Sequence, residues 1–273
     1  MDNSRRLPPE LVAHARSFAE GDRPPAEPRD AATVVLLRPG PAGVESYLLR
    51  RHLGMPFAGG MYAFPGGGVD ARDKDTSTAW AGPDAAEWAA RMQCPESLAR
   101  ALVCAAVRET FEESGVLLAG PSADTVVTDT TGEDWEADRA GLVGRELAFS
   151  EFLHRRGLVL RSDLLALWAH WITPEFEPRR YDTRFFVAVL PAGQRTRDVS
   201  GEADRVAWMR PAAAVAGVDE ESMRMLPPTY AAMRELSDLS EPADALARAA
   251  GRAVTTICPR VVFDAAGGYL AVD

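Results

Sequence analysis

The chain has 273 residues, 47% hydrophobic and 26% charged, with a formal net charge of −10. That balance suits a globular protein with a sizeable core and excludes a disordered, fibrous or collagen-like chain. The acidic excess removes the overall basic footprint of nucleic-acid binding, and three scattered cysteines (Cys94, Cys104, Cys258) exclude a disulfide framework or a cysteine-held zinc site.

An anionic ligand stays open, because a metal ion or a local arginine cluster reverses the field where it sits. No apolar run reaches the ~18 residues of a membrane span. The opening MDNSRRLPPE lacks the apolar stretch of a secretory signal. The expectation is a cytoplasmic protein with neither membrane nor nucleic acid as partner.

Pro8 to Glu20 predicts a short helix, and Gly21–Asp30 a polar, proline-rich connector. Ala31–Arg38 and Val44–Arg51 read as two strands joined through Pro39–Gly43, a hairpin. Met61–Phe64 reads as a third, short strand, and Pro65–Gly68 as irregular chain. Ala71–Pro95 is polar and mixed, an insertion with one short helix. Glu96–Ser114 is the strongest helix: Leu98, Leu102, Ala105 and Ala106 follow helical spacing, and Gly115 stands where a terminating glycine belongs.

Val116–Leu118 reads as a short strand and Ala119–Gly141 as loop. Glu146–Arg156 and Ser162–Ala166 read as helices, Leu167–Ile172 and Asp182–Leu190 as strands. Arg205–Met209 is a strand ahead of a helix begun by Pro211. Thr229–Leu239 and Pro242–Ala250 are helices, and Val261–Val272 a closing hairpin around Gly267-Gly268. Interleaved strands and helices predict an α/β or α+β layer architecture. No linker divides the chain, so one domain is expected over 1–273, with a core over about 31–216 and a helical extension over about 217–273.

Chemistry concentrates in Arg108-Glu109-Thr110-Phe111-Glu112-Glu113-Ser114-Gly115-Val116. Glu109, Glu112 and Glu113 stand at i, i+3 and i+4, on one face of one helical turn. They continue the apolar stripe, so that face turns acidic at Glu109. Three like charges there repel; such a turn is either a solvated helix end or an oxygen-rich site for a hard divalent cation.

Strand, glycine turn and acidic helix together resemble the Nudix hydrolase superfamily. Its box runs Gly, five residues, Glu, seven residues, then Arg-Glu-U-x-Glu-Glu-x-Gly-U, with U bulky and apolar. Arg108, Glu109, Glu112, Glu113, Gly115 and Val116 match the second half, with Thr110 at the first U position. Counted from Gly67, the second half arrives roughly 27 residues late, and Arg100 holds the place of the early glutamate. Such an interrupted box is similar to the branch typified by peroxisomal coenzyme A diphosphatases. Leu48-Leu49-Arg50-Arg51, Leu167–Pro174, Arg180–Phe186, Leu226–Thr229 and Leu236–Leu239 extend the likeness outside the box. A separate coenzyme A signature is met by Arg51, Gly60 and Phe64-Pro65-Gly66-Gly67, but not at His52 and Pro56.

The resemblance implies an α/β/α Nudix sandwich with a mixed sheet, an insert within the box and extra C-terminal helices. It implies Mg²⁺- or Mn²⁺-dependent hydrolysis of a diphosphate in a nucleoside diphosphate-linked small molecule, first coenzyme A or acyl-coenzyme A. The alternatives are an ADP-ribose- or NADH-type pyrophosphatase and a non-catalytic ligand sensor of the same fold. It assigns the metal to Glu109, Glu112 and Glu113, completed by a carbonyl at Gly66. Arg108 pairs with a box carboxylate. Glu202, just before a strand, is the candidate general base, with Glu175 and Glu177 behind it. Arg51, Gly67, Arg180 and Arg184 are candidates for the substrate, with Arg179 less so. Trp168, Trp171, Trp208, His170 and Cys104 read as structural.

Overall fold

A computed structural model of the chain describes residues 5–21, 23–55, 58–265 and 267–272. Asp22 of the connector, Pro56 of the signature and the first four residues lie outside them.

The chain opens with β1 (Arg5–Arg6) and α1 (Pro9–Ala19). The hairpin follows as β2 (Arg29–Gly40) and β3 (Gly43–Arg51). Next come β4 (Tyr62–Ala63) and β5 (Gly66–Gly68). The insertion holds a 3₁₀ turn at Ala71–Lys74, β6 (Trp80–Ala81) and α2 (Ala85–Met92). The long helix is α3 (Glu96–Ser114). Then follow β7 (Ala119–Gly120), α4 (Glu133–Val143), α5 (Phe149–Arg155) and β8 (Val159–Arg161). The main strands resume as β9 (Ala166–Ile172), β10 (Tyr181–Val189) and β11 (Ala203–Met209). Helices α6 (Pro211–Asp219), α7 (Pro227–Leu236) and α8 (Pro242–Ala250) lead to β12 (Thr256–Ile257), β13 (Arg260–Asp264) and β14 (Gly267–Ala271).

The main sheet runs β11-β3-β2-β10-β9-β12, with β4 on β3 and β5 on β2. It is mixed: β2–β10 and β9–β12 are parallel, the other pairs antiparallel. Alternation along β2 divides the core. Ala32, Val34 and Leu36 pack with α2, α3 and α5 on one face. Val35 and Leu37 pack with α6, α7 and α8 on the other. The α/β/α sandwich is the result.

Four readings change. Ser162–Ala166 is not a helix of that length: Ser162–Leu164 makes one 3₁₀ turn and Ala166 already belongs to β9. Pro65–Gly68 is not irregular: Gly66–Gly68 pairs antiparallel with Ala31–Thr33. A glycine run has no side chains to pack, so only the unpaired ladder groups of β2 make it a strand. Ala119–Gly141 is not all loop, since α4 begins at Glu133; with only Arg139 and Leu142 buried, its hydrophobic signal is weak. The strand expected at Val116–Leu118 starts at Ala119 instead. Helix α3 keeps its expected bounds, but its middle is buried nearly all round, from Ala101 to Val107. No helix among the described residues is long and apolar enough to cross a membrane.

Candidate functional site

The acidic end of α3 stands against β5. Arg108, 9% exposed, spends all five of its N–H donors there. Its Nε and Nη2 form a fork on Asp73 at 3.0 and 2.9 Å. Nη1 lies between Glu109, at 2.7 Å, and Glu112, at 3.1 Å, and Nη2 also donates to the Gly68 carbonyl at 3.0 Å. Glu113 accepts the Gly66 N–H at 2.8 Å. Gly67 allows the closest approach: a Cβ there would come within 2.6 Å of the Glu109 carboxyl.

Asp73 comes from the insertion and is 3% exposed. Its carboxylate also accepts the Asp70 N–H at 2.8 Å, and Asp70 caps the same turn, so a reciprocal capping box orients the fork. Three carboxyls (Asp73, Glu109, Glu112) therefore surround one guanidinium, and Glu113 stands next to them on the Gly66 N–H. Burial pushes the Glu109 carboxyl up to about 7, with Glu112 adding to the rise against the pull of Arg108. Burial raises Glu112, and it raises Glu113 well above the ordinary range, with Glu109 pushing the same way. Burial disfavours the charge on Arg108, but the surrounding carboxylates outweigh that and hold its proton more tightly. The cluster holds more carboxyls than one guanidinium can neutralise, and burial works against their ionisation.

The end of α3 is held from behind. Arg139 Nη1, from α4, donates to the Glu112 carbonyl at 2.7 Å, one of the last carbonyls of the helix. Glu136 binds both Arg139 and Arg197. The Arg197 N–H donates to the Ser114 carbonyl at 2.9 Å. Gly115 is required twice: it has φ +74, and a Cβ on it would lie 2.7 Å from the Arg197 guanidinium.

A broad cleft of about 1510 Å³ opens in front of these groups, and Arg51, Glu202, Phe64 and Thr33 share its lining with the glutamates. Arg51 Nη2 pairs with Glu202 at 3.1 Å, while its buried Nε has no hydrogen-bond partner among the described residues. Glu202 is 58% exposed, and both groups act electrostatically on Glu113.

The donor set is all oxygen, from four close carboxyls, and its surplus charge suits a hard divalent cation. Among the described residues no three acidic, histidine or cysteine side chains already stand as a metal shell. Arg108 lies between Glu109 and Glu112, and Glu113 is turned to Gly66.

A family model described as the NUDT19 Nudix domain matches residues 83–236, more than half of the chain. The chain belongs to this family. An acyl-coenzyme A diphosphatase NUDT19 of Xenopus laevis is 29% identical over 140 residues, 47% of this chain. The match covers only 37% of that relative's length. Its Gallus gallus counterpart is 25% identical over 85% of this chain and 71% of its own. A Nudix hydrolase from Alicyclobacillus acidocaldarius superposes with a TM-score of 0.68 at 27% identity, over 81% of this chain and 96% of that one.

Within this NUDT19-type domain the candidates named from sequence separate. Glu109, Glu112, Glu113, Arg108, Gly66, Gly67, Arg51 and Glu202 line one cleft. Arg180 and Arg184 do not. Arg180 donates to the Thr173 and Ala26 carbonyls at 3.0 and 2.8 Å and pins two connecting segments. Arg184, 4% exposed, pairs with Asp182, which also binds His170 Nε2 at 2.5 Å. Arg179 and Glu175 are exposed, while Glu177 lines the cleft. Trp168 and Cys104 are buried, and Trp171, also buried, lines the cleft. Trp208 stacks under the Arg38 guanidinium, 4.3 Å from its ring centre.

Sequence reasoning missed Asp73, Arg139, Glu136 and Arg197. Asp70-x-x-Asp73 is a capping pattern and Glu136-x-x-Arg139 an i,i+3 pair, so each had a local signal. Neither pattern names a distant partner.

Proposed function

We propose that the chain is a divalent-metal-dependent hydrolase of the diphosphate in a nucleoside diphosphate derivative, with coenzyme A or its thioesters as substrate. The carrying observation is the surplus of buried carboxylate around Arg108, facing a cleft that also contains an arginine with an unpartnered Nε. Family membership supports the chemistry, and the names of the frog and chicken relatives support the substrate.

Glu109, Glu112 and Glu113, with the Gly66 carbonyl, would hold Mg²⁺ or Mn²⁺. Such an ion neutralises phosphate oxygens and lowers the pKa of the attacking water. Arg108 and Asp73 fix the rotamers of Glu109 and Glu112. Arg51 offers donors to a phosphate, and Gly67 leaves room for Glu109 beside the strand. Glu202 stands open to solvent on the same cleft and takes the proton of the water. The water oxygen bonds to phosphorus and the bridging P–O bond breaks, leaving phosphopantetheine and adenosine 3′,5′-bisphosphate.

The test is a panel of coenzyme A, acetyl-coenzyme A, ADP-ribose, NADH and diadenosine polyphosphates with Mg²⁺ and with Mn²⁺, wild type beside Glu112→Gln, scored by product identity. Cleavage of coenzyme A that vanishes in the variant is the expected result. Cleavage of ADP-ribose or NADH alone overturns the substrate, and no turnover of any diphosphate overturns the reaction.

A further inference from the structure

The cleft does not end at the glutamates. Leu7, Leu11, Trp171, Phe176 and Leu270 also line it, with Arg29, Asp30, Thr173, Glu177, Tyr181 and Thr183 among the polar groups. The two chain ends supply Leu7, Leu11 and Leu270 of this lining. Strand β1 pairs with β14, the Leu7 N–H donates to the Gly268 carbonyl at 2.9 Å, and the Arg16 guanidinium lies 4.5 Å from the Phe263 ring centre. His14 on α1 bonds the Phe176 carbonyl at 2.8 Å, which ties the helix to the connection between β9 and β10. Both ends lie outside residues 83–236, the segment matched by the family.

Resting on the hydrolase reading above, we propose that this apolar lining forms a subsite for the acyl chain of a coenzyme A thioester, and that α1 and the C-terminal hairpin set the chain length accepted. Two observations carry it. One is composition: a single cleft is lined both by the glutamates and by Leu7, Leu11, Phe176 and Leu270 from the two chain ends and the β9–β10 connection, which matches a substrate that carries a diphosphate and a hydrocarbon. The other is reach. From β5 the sheet steps through β2 and β10 to β9, three strand spacings or about 14 Å. The pantetheine arm is about twelve bonds from ester oxygen to sulfur, the reach of roughly four extended residues, again about 14 Å. With the diphosphate at the glutamates, the sulfur arrives beside Trp171, one of the apolar lining residues. Leu7, Leu11 and Leu270 are only half-buried, so they keep apolar surface for an acyl chain to cover.

The experiment compares kcat and KM on coenzyme A and its acetyl, octanoyl and palmitoyl thioesters for wild type, Leu11→Asp and Leu11→Trp. Wild type is expected to show a KM about tenfold lower for octanoyl-coenzyme A than for coenzyme A. Leu11→Asp is expected to lower the octanoyl-to-free ratio of kcat/KM by about tenfold. Leu11→Trp fills the space and moves the preferred chain toward acetyl, a gain that a merely damaged fold does not produce. Equal KM for all four substrates in an active wild type overturns the subsite and leaves the hydrolase standing. So does a Leu11→Trp variant with an unchanged chain-length preference. No cleavage of any of the four by wild type fails the hydrolase reading itself.

Discussion

Two of the arginine–carboxylate clusters in this fold, around Arg108 and Arg184, differ in their charge balance. Around Arg108, one guanidinium faces Asp73, Glu109 and Glu112, Glu113 adds a carboxyl on which Glu109 acts, and burial pushes the three glutamates up. Around Arg184, one guanidinium faces Asp182, with His170 on the same carboxylate and Thr256 on the far side of the imidazole. Burial also works against the Asp182 charge, but the His170 hydrogen bond and the Arg184 charge win and hold it below its ordinary value. A balanced cluster stabilises its own ionised state. An unbalanced one waits for a positive partner. Charge surplus, rather than the presence of arginine and acid, separates the candidate site from the structural ion pair.

The largest effect that tests the contrast is at Glu113. Glu113→Gln keeps an acceptor for the Gly66 N–H but removes one of the crowded charges. Diphosphate hydrolysis is expected to fall about 100- to 1000-fold, while the thermal midpoint without metal rises, because a buried repulsion is gone. A fall in that midpoint contradicts the surplus. Asp73→Asn comes next. It weakens the fork on Arg108, and kcat is expected to drop about 10- to 100-fold, with about 2 kcal/mol of stability lost in denaturant titration.

Arg184→Met reverses the pattern: about 3 kcal/mol of stability is lost because Asp182 stays half-buried without its cation, while kcat per folded molecule changes less than about twofold. A large loss of kcat at full stability would place Arg184 in the site and erase the distinction. The smallest effect is in pH. Asp182 has a folded pKa below its ordinary 3.8, so its pairing stabilises the fold above about pH 3.8 and that stability is lost as pH falls through the lower folded value. Chemical denaturation from pH 5 downward detects this, and Asp182→Asn is expected to flatten that part of the curve.

Helix α3 was legible because its information is local. Helical spacing alone places Glu109, Glu112 and Glu113 on one face, and Gly115 supplies the left-handed ending at φ +74. The hairpin β2–β3 and the helices α6 and α8, begun at Pro211 and Pro242, were legible for the same reason, whereas α7 runs from Pro227 to Leu236 instead of the expected Thr229–Leu239. The rest of the site depends on pairs far apart in sequence. Arg108 and Asp73 are 35 residues apart, Arg139 and Glu112 27, Arg51 and Glu202 151. No periodicity reports such pairings, because a side chain's partner depends on how elements pack. Arg51 and Arg184 look alike in sequence, each an arginine in or beside an apolar strand. Which of them meets the cleft follows from strand order and from the face each residue takes, and both are properties of the assembled sheet. The sequence determined the acidic helix, the glycine turn ahead of it and the family they mark. Tertiary structure alone decided which charges are neutralised, because burial and proximity set that balance and neither exists before the chain folds.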